Sequence, residues 1–215
     1  MDEKPVHDIF QRGLKRGAER LPFDPVKRYF YVEHPIEGWR VYLRAGCFIH
    51  EKPTGDECID PTRFLVVKRA GQPANQAAWE PPKGQMEGKD GLRNPKQGML
   101  SILKENLMRE IGEESRVKTV SALEHTGLVL EGRESDYPPN HFFQYHIFRA
   151  MVSEKEWMRA SAELDWYKEH PAAFARLKRD KREKDAIAWY SPSDTKLMGK
   201  WSPRIVAMYL KKYAT

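Results

Sequence analysis

The sequence predicts an α/β fold, a sandwich in which helices cover a mixed β-sheet, and three observations carry that reading. Apolar runs of strand length recur from Arg40 onward. An apolar series at helical spacing lies between Gly98 and Ser115. Strand-like and helix-like segments then alternate to the C-terminus. The chain has 215 residues, 40% of them hydrophobic, with 6 Trp, 9 Tyr and 9 Phe. That suffices for one generous domain, with two small ones as the alternative, and for a real core, and it excludes wholesale disorder.

The elements follow in order. Residues 1–38 are rich in Pro, Gly and charge and are expected to form an N-terminal extension, with residues 39–215 as the main domain. Within the extension, residues 8–20 read as a short helix and 27–32 as a short strand, and Pro22, Pro25 and Pro35 break anything longer. Residues 41–49 and 63–68 are strand-like, and 70–82 read as a loop that closes on Trp79-Glu80-Pro81-Pro82-Lys83-Gly84. Met99, Leu100, Ile102, Leu103, Leu107, Met108 and Ile111 recur at helical spacing, so residues 98–115 should be an amphipathic helix. Two strands are expected at 117–130 and 141–152. Residues 154–184 read as a basic helical insertion, broken at His170-Pro171. A strand at 186–190 then leads to a closing helix at 203–213, with Ser202 as its N-cap and Pro203 at its first position.

Charge and cysteine content narrow the class. The formal charge is +6, from 37 Lys and Arg against 31 Asp and Glu. Residues 168–215 hold twelve basic and five acidic residues, more than the whole excess, which favours phosphate-bearing partners. No apolar run approaches the roughly 20 residues of a membrane span, so no membrane association is expected. The N-terminus lacks a secretory layout, and two cysteines cannot make a disulfide framework. The expected compartment is therefore reducing: cytoplasmic, with the nucleus as alternative.

The stretch with the most chemistry is Arg109-Glu110-Ile111-Gly112-Glu113-Glu114. On a helix, Glu110, Glu113 and Glu114 stand at i, i+3 and i+4, so three carboxylates share one face. Hard oxygen donors on a rigid element are what Mg²⁺ or Mn²⁺ requires. An exposed acidic turn has the same spacing, and the upstream Pro-Pro-Lys-Gly segment decides between them. Together these residues resemble the signature of the Nudix hydrolases, G-x5-E-x7-R-E-U-x-E-E-x-G-U with U aliphatic. Gly84 matches the first Gly and Asp90 stands at the first Glu, while Arg109, Glu110, Ile111, Glu113, Glu114 and Val117 match the second half in register. Three departures stand out: eleven extra residues between Asp90 and Arg109, Asp90 in place of Glu, and Arg116 in place of the second Gly.

The resemblance implies a Nudix-type α/β/α sandwich and a metal-dependent pyrophosphatase. It makes Glu113 and Glu114 the main ligands of Mg²⁺ or Mn²⁺. Glu110 becomes a third ligand or the base, Arg109 orients a carboxylate, the Lys83 carbonyl completes the metal shell, and Gly84 admits the substrate closely. One further acidic residue is implied from a later loop, with Glu131, Glu134, Asp136 and Glu154 as candidates. His141 and His146 flank a strand segment at a spacing that suits no zinc site, and Trp79 either stacks on a base or packs beneath its loop.

Residues 176–184 hold six basic residues against two acidic. Lys178, Arg179, Lys181 and Arg182 are the candidate contacts to a long polyanion, in a stretch flanked by Trp166, Tyr167, Trp189 and Trp201. The expected substrate is phosphate-rich. The RNA 5′ cap comes first, then dinucleoside polyphosphates and diphosphoinositol polyphosphates. A non-catalytic RNA-binding module on the same fold is the rival.

Overall fold

The computed structural model describes residues 6–22, 24–55 and 58–214. The chain is α/β. Its strands are β1 (Lys15–Leu21), β2 (Asp24–Glu33), β3 (Arg40–Glu51), β4 (Leu65–Arg69), β5 (Trp79–Glu80), β6 (Lys83–Gln85), β7 (Ser121–Gly132), β8 (His141–Val152) and β9 (Lys184–Trp189). Its helices are α1 (Gly88–Leu92), α2 (Met99–Ser115), α3 (Glu154–Glu169), α4 (Pro171–Ala175) and α5 (Ser202–Tyr213). One sheet runs β1-β2-β3-β8-β7 with β6 also on β3, and a second runs β5-β4-β9. No described helix is long and apolar enough to cross a membrane. The chain divides into two compact units, and β3, β7, β8 and α2 pass through both.

The first unit comprises residues 1–46, 84–108 and 127–147. Here the expected helix at 8–20 is replaced by turns and β1. Gly13 takes a left-handed φ of 89°, which ends any helix, and β1 pairs antiparallel with β2 from Lys15↔Glu33 to Leu21↔Asp24. Gly17 lies so close under the Tyr31 ring that a Cβ there would come within 2.3 Å of it. Cross-strand packing has overridden local helix propensity. β2 continues onto β3 through Val32↔Val41, so residues from the expected extension belong to the sheet. β3 is buried at every position from Val41 to His50, as a central strand should be.

The second unit comprises residues 47–83, 109–126 and 148–215. β4 lies between β5 and β9, with Val67 opposite both Glu80 and Ile187. Ile205, Val206 and Tyr209 form the buried face of α5. Tyr209 stacks on Phe48 at 3.7 Å between centroids, and its hydroxyl lies 2.7 Å from His50 Nε2. Two sequence expectations need correction here. Ser202 is inside α5 and Trp201 is the cap, because the Ser202 hydroxyl is drawn to Glu80 Oε2 at 3.1 Å. The helical insertion is also shorter than residues 154–184. After α4 there is only a 3-10 turn at Arg179–Arg182, and Lys184 already opens β9.

Candidate active site

The last two turns of α2 carry the acidic cluster. Successive residues advance about 100° around a helix, so Glu110, Glu113 and Glu114 span an arc of about 100°. Ile111, fully buried, stands about 60° beyond Glu114 around the helix and anchors that edge of the arc. Arg109 bridges the first two carboxylates, with Nη2 2.8 Å from Glu110 Oε1 and Nη1 2.8 Å from Glu113 Oε2. Both pairs are partly buried, and charge-assisted bonds of this length fix the rotamers.

Glu114 is turned away from that pair, which corrects the expectation of three carboxylates converging on one ion. It lies at the buried edge of the arc, where a backbone N–H and a lysine of the chain itself take its two oxygens. The Lys83 N–H donates to Oε2 at 2.9 Å, and Lys184 Nζ lies 3.3 Å from Oε1. Lys184 also binds Glu80 Oε1, and Lys83 Nζ lies 2.8 Å from Glu80 Oε2. β5, β9, the residue before Gly84 and the end of α2 thus share one buried network of two lysines and two glutamates. Among the described residues, no three His, Cys, Asp or Glu side chains are grouped to hold a metal.

Burial opposes ionisation of Glu80, but Lys83 and Lys184 outweigh it and hold its carboxyl near a pKa of about 2. Burial pushes the Glu114 carboxyl up, with Glu80 adding to it and the lysines only partly offsetting it. Burial would lower Lys184, yet Glu114 and Glu80 hold it above the ordinary lysine value, so its charge is secure. Sequence reasoning did not single out Glu80 or Lys184, and it took Ser202 for a helix cap. Their only signal was a charged residue at the edge of an apolar run, and Glu80 and Lys184 are 104 residues apart.

The donor chemistry of Glu110 and Glu113 fits a hard divalent cation: two carboxylates on adjacent turns that already draw one cation, Arg109, to their oxygens. Glu114 would join them only by giving up part of its lysine shell.

Other expectations resolve residue by residue. Gly84 lies within β6 rather than in a tight loop, since backbone bonds from the Cys47 N–H to the Pro82 carbonyl and from the Met86 N–H to the Leu43 carbonyl, both 2.9 Å, lay this segment along β3. Asp90 is a capping residue: its Oδ2 accepts from the Glu87 N–H at 2.8 Å and from Asn106 Nδ2 at 3.2 Å. The residues that follow Asp90 finish α1 and form the turn into α2. Trp79 is buried, with Nε1 donating to the Ala74 carbonyl at 3.0 Å, so it packs rather than offering a stacking face. Glu131 receives Gln144 Nε2 at 2.7 Å and Glu134 pairs with Arg44 at 2.9 Å, while Asp136 and Glu154 are exposed. His146 is buried against Gln144, and His141 bonds the Pro139 carbonyl.

Arg116, in place of the second signature Gly, adopts a left-handed φ of 65°. Its guanidinium caps the end of α2 by donating to the Glu113 carbonyl, and it also donates to the Lys181 carbonyl. It thereby ties the basic turn to the acidic helix. Arg116→Ala should lose these bonds and keep the strained backbone, costing about 2 kcal/mol. Arg116→Gly should be about 1 kcal/mol more stable than the Ala variant, because glycine tolerates this φ. Urea unfolding of both checks this, and equal midpoints would contradict it. The tethered turn leaves Lys178, Arg179, Lys181 and Arg182 exposed, whereas Lys184 is buried and unavailable to a ligand. Arg179, Lys181 and Arg182 lie on a short 3-10 turn with Lys178 at its N-cap, not on the expected basic α-helix, because residues 176–178 leave the helical path before β9 begins.

No protein-family model and no curated protein matches the chain. Solved structures do resemble it. The NUDIX domain of Shewanella oneidensis NrtR complexed with ADP ribose is 11% identical, with 83% of this chain and 92% of that chain covered and a TM-score of 0.46. A NUDIX hydrolase from Nitrosomonas europaea is 15% identical, covering 95% and 90%, with a TM-score of 0.41. A C. elegans Ap4A hydrolase binary complex is 16% identical, covering 80% and 96%, with a TM-score of 0.38. At these values they bear on neither substrate nor catalytic residues.

Proposed function

We propose that the chain is a Nudix-type pyrophosphohydrolase that uses Mg²⁺ or Mn²⁺ to cleave a phosphoanhydride in a nucleotide-linked substrate, with the RNA 5′ cap first among candidates. The observation that carries this reading is Arg109 clamping Glu110 and Glu113 on adjacent turns of α2. A divalent ion supplies charge neutralisation of the phosphates and a water of lowered pKa. Arg109 holds the two carboxylates, and in this reading Glu110 serves either as a further ligand of the ion or as the base that takes the proton of an attacking water. Lys83 donates its backbone N–H to Glu114 at that end of α2, Gly84 next to it in sequence is the candidate substrate contact, and Glu114 is the third carboxylate, which the ion would have to draw from its lysine.

The cap preference is supported by the exposed cations Lys178, Arg179, Lys181 and Arg182, tied to the end of α2 through Arg116. Neutralising all four to Gln should flatten the salt dependence of binding to a capped RNA oligonucleotide. The slope of log K against log salt falls by about 0.7 for each phosphate that the protein no longer neutralises. An unchanged slope in fluorescence anisotropy removes RNA from the candidates.

The decisive test is a panel of capped RNA, dinucleoside polyphosphates, ADP-ribose and inositol pyrophosphates assayed with Mg²⁺, with Mn²⁺ and with EDTA. Metal-dependent release of a phosphate-bearing product from at least one of them is expected, and none with EDTA. The second reading, a non-catalytic RNA-binding module, is favoured by one observation: both oxygens of Glu114 are engaged by Lys83 and Lys184. RNA binding with no turnover of any substrate would select it.

A further inference from the structure

Glu80 and Glu114 share Lys184, but the two carboxylates are held in different ways. Glu80 is an anchor. Its Oε2 receives Lys83 Nζ at 2.8 Å and the Ser202 hydroxyl at 3.1 Å, and its Oε1 is hydrogen-bonded by Lys184. Donors from β6, α5 and β9 therefore fix it from three sides. Glu114 is held more loosely. The Lys83 N–H donates to Oε2 at 2.9 Å, but Lys184 Nζ stands 3.3 Å from Oε1. That is beyond the usual limit of about 3.2 Å for an N–H···O bond. Lys184 thus faces two carboxylates and is bonded to one of them.

Burial makes this asymmetry matter. Glu114 is 5% exposed, so its charge needs a cation beside it, and removing one without supplying another is costly. Lys184 does not depend on Glu114 in the same way, because Glu80 keeps it paired within the same buried space. Its backbone is held in β9 opposite Arg69, so an exchange of partners asks only the amine to shift. Helix geometry sets Glu114 one turn after Glu110 and about 40° from it around α2. One exchange then leaves no charge unpaired: Glu114 gives up Lys184 for a divalent ion, and Lys184 falls back on Glu80.

We propose that Lys184 is a positioning residue that sets the affinity of the site for its divalent ion, by competing with that ion for Glu114. Glu80 is the residue that makes the competition reversible, since it receives the displaced lysine. The proposal rests on the hydrolase reading, which supplies the ion, but its test needs no turnover. Removing Lys184 frees Glu114 and should tighten the ion. Removing the charge of Glu80 leaves Lys184 to Glu114 and should loosen the ion. A plain through-space effect of losing one charge has the same two signs. The competition differs from it in one respect: both effects must pass through Glu114.

The experiment is titration of the full chain with Mn²⁺ in the absence of substrate, with the free ion read by electron paramagnetic resonance. Glu113→Gln should weaken binding, which places the ion at α2. Lys184→Met should bind Mn²⁺ about tenfold more tightly than the native protein, and Glu80→Gln about tenfold more weakly. Each change is then repeated together with Glu114→Gln. There Lys184 has lost the ligand it competes for, and both shifts should shrink below about twofold. Lys184→Met is the variant most at risk of unfolding, and if it does not fold, Glu80→Gln with and without Glu114→Gln makes the same comparison. Equal shifts in the two backgrounds, or an Mn²⁺ affinity unmoved by Glu114→Gln alone, would overturn the proposal and leave the hydrolase reading standing. A native chain that binds no Mn²⁺ at millimolar concentration, or binding indifferent to Glu113→Gln, would overturn both.

Discussion

Glu113→Gln is expected to lower turnover of the preferred phosphoanhydride substrate on the order of 10²-fold or more, with little change in stability or in ligand binding. The stability side follows from geometry. Glu113 is partly buried and its Oε2 receives Arg109 Nη1 at 2.8 Å, a bond that the amide oxygen of glutamine can still accept. What the variant loses is a negative charge where divalent cation and phosphate charge must be balanced. That loss is felt in the transition state more than in the bound substrate, so kcat should fall and KM should move little. Steady-state kinetics with Mg²⁺ and Mn²⁺, alongside a thermal melt, checks both halves. Loss of turnover with a melting temperature lowered by many degrees would mean that the side chain is structural, and undiminished turnover would remove it from the site.

Lys184→Met should destabilise the fold by about 3–5 kcal/mol at neutral pH, because it removes one partner from a buried ion network. Lys184 is 6% exposed at its side chain and serves both Glu80 and Glu114. In the variant, two buried carboxylates face the remaining Lys83. The pH dependence carries a definite sign. In the native protein Glu80 titrates near 2 against an ordinary value of 4.5, so its stabilising share is complete above about 4.5 and is lost as pH falls toward 2. Glu114 is shifted the opposite way, upward by burial, and removing Lys184 should raise it further. Protonating it then relieves an uncompensated charge, so the deficit of the variant should shrink between pH 7.5 and 5.5. Urea unfolding at the two pH values measures this. A deficit under 1 kcal/mol, or one independent of pH, would show that the network is loose in solution. Lys184→Met combined with Glu114→Gln should recover part of the loss, since the unpaired charge is gone.

Local rules made much of this molecule legible. The apolar series from Met99 to Ile111 predicts α2 within one residue of its observed start, because burial along one helical face is written into residue spacing. The strand at 141–152 is read off with both ends correct, since its apolar run is long and is bounded by turn residues. Arg109 meets Glu110 and Glu113 as neighbours on one helix, so the core of the candidate site needs nothing beyond the helix period.

Where a partner distant in sequence decides, local reading fails. Residues 8–20 have helical composition but become turns and β1, because β2 offers a strand edge and Tyr31 covers Gly17. Ser202 has the chemistry of a cap but answers to Glu80. Residues 178–182 have the charge of a basic helix but are drawn into a turn that Arg116 tethers. The sequence by itself determined the α/β class, the central strands, the acidic helix and its arginine clamp, all of them set by spacing within one element. Only the tertiary structure decided that Glu114 faces Lys184 and that Glu80 shares that lysine with it. The physical reason is the same for both. A buried charge takes whichever counter-charge or hydrogen-bond partner folding brings to it, and that partner can stand a hundred residues away.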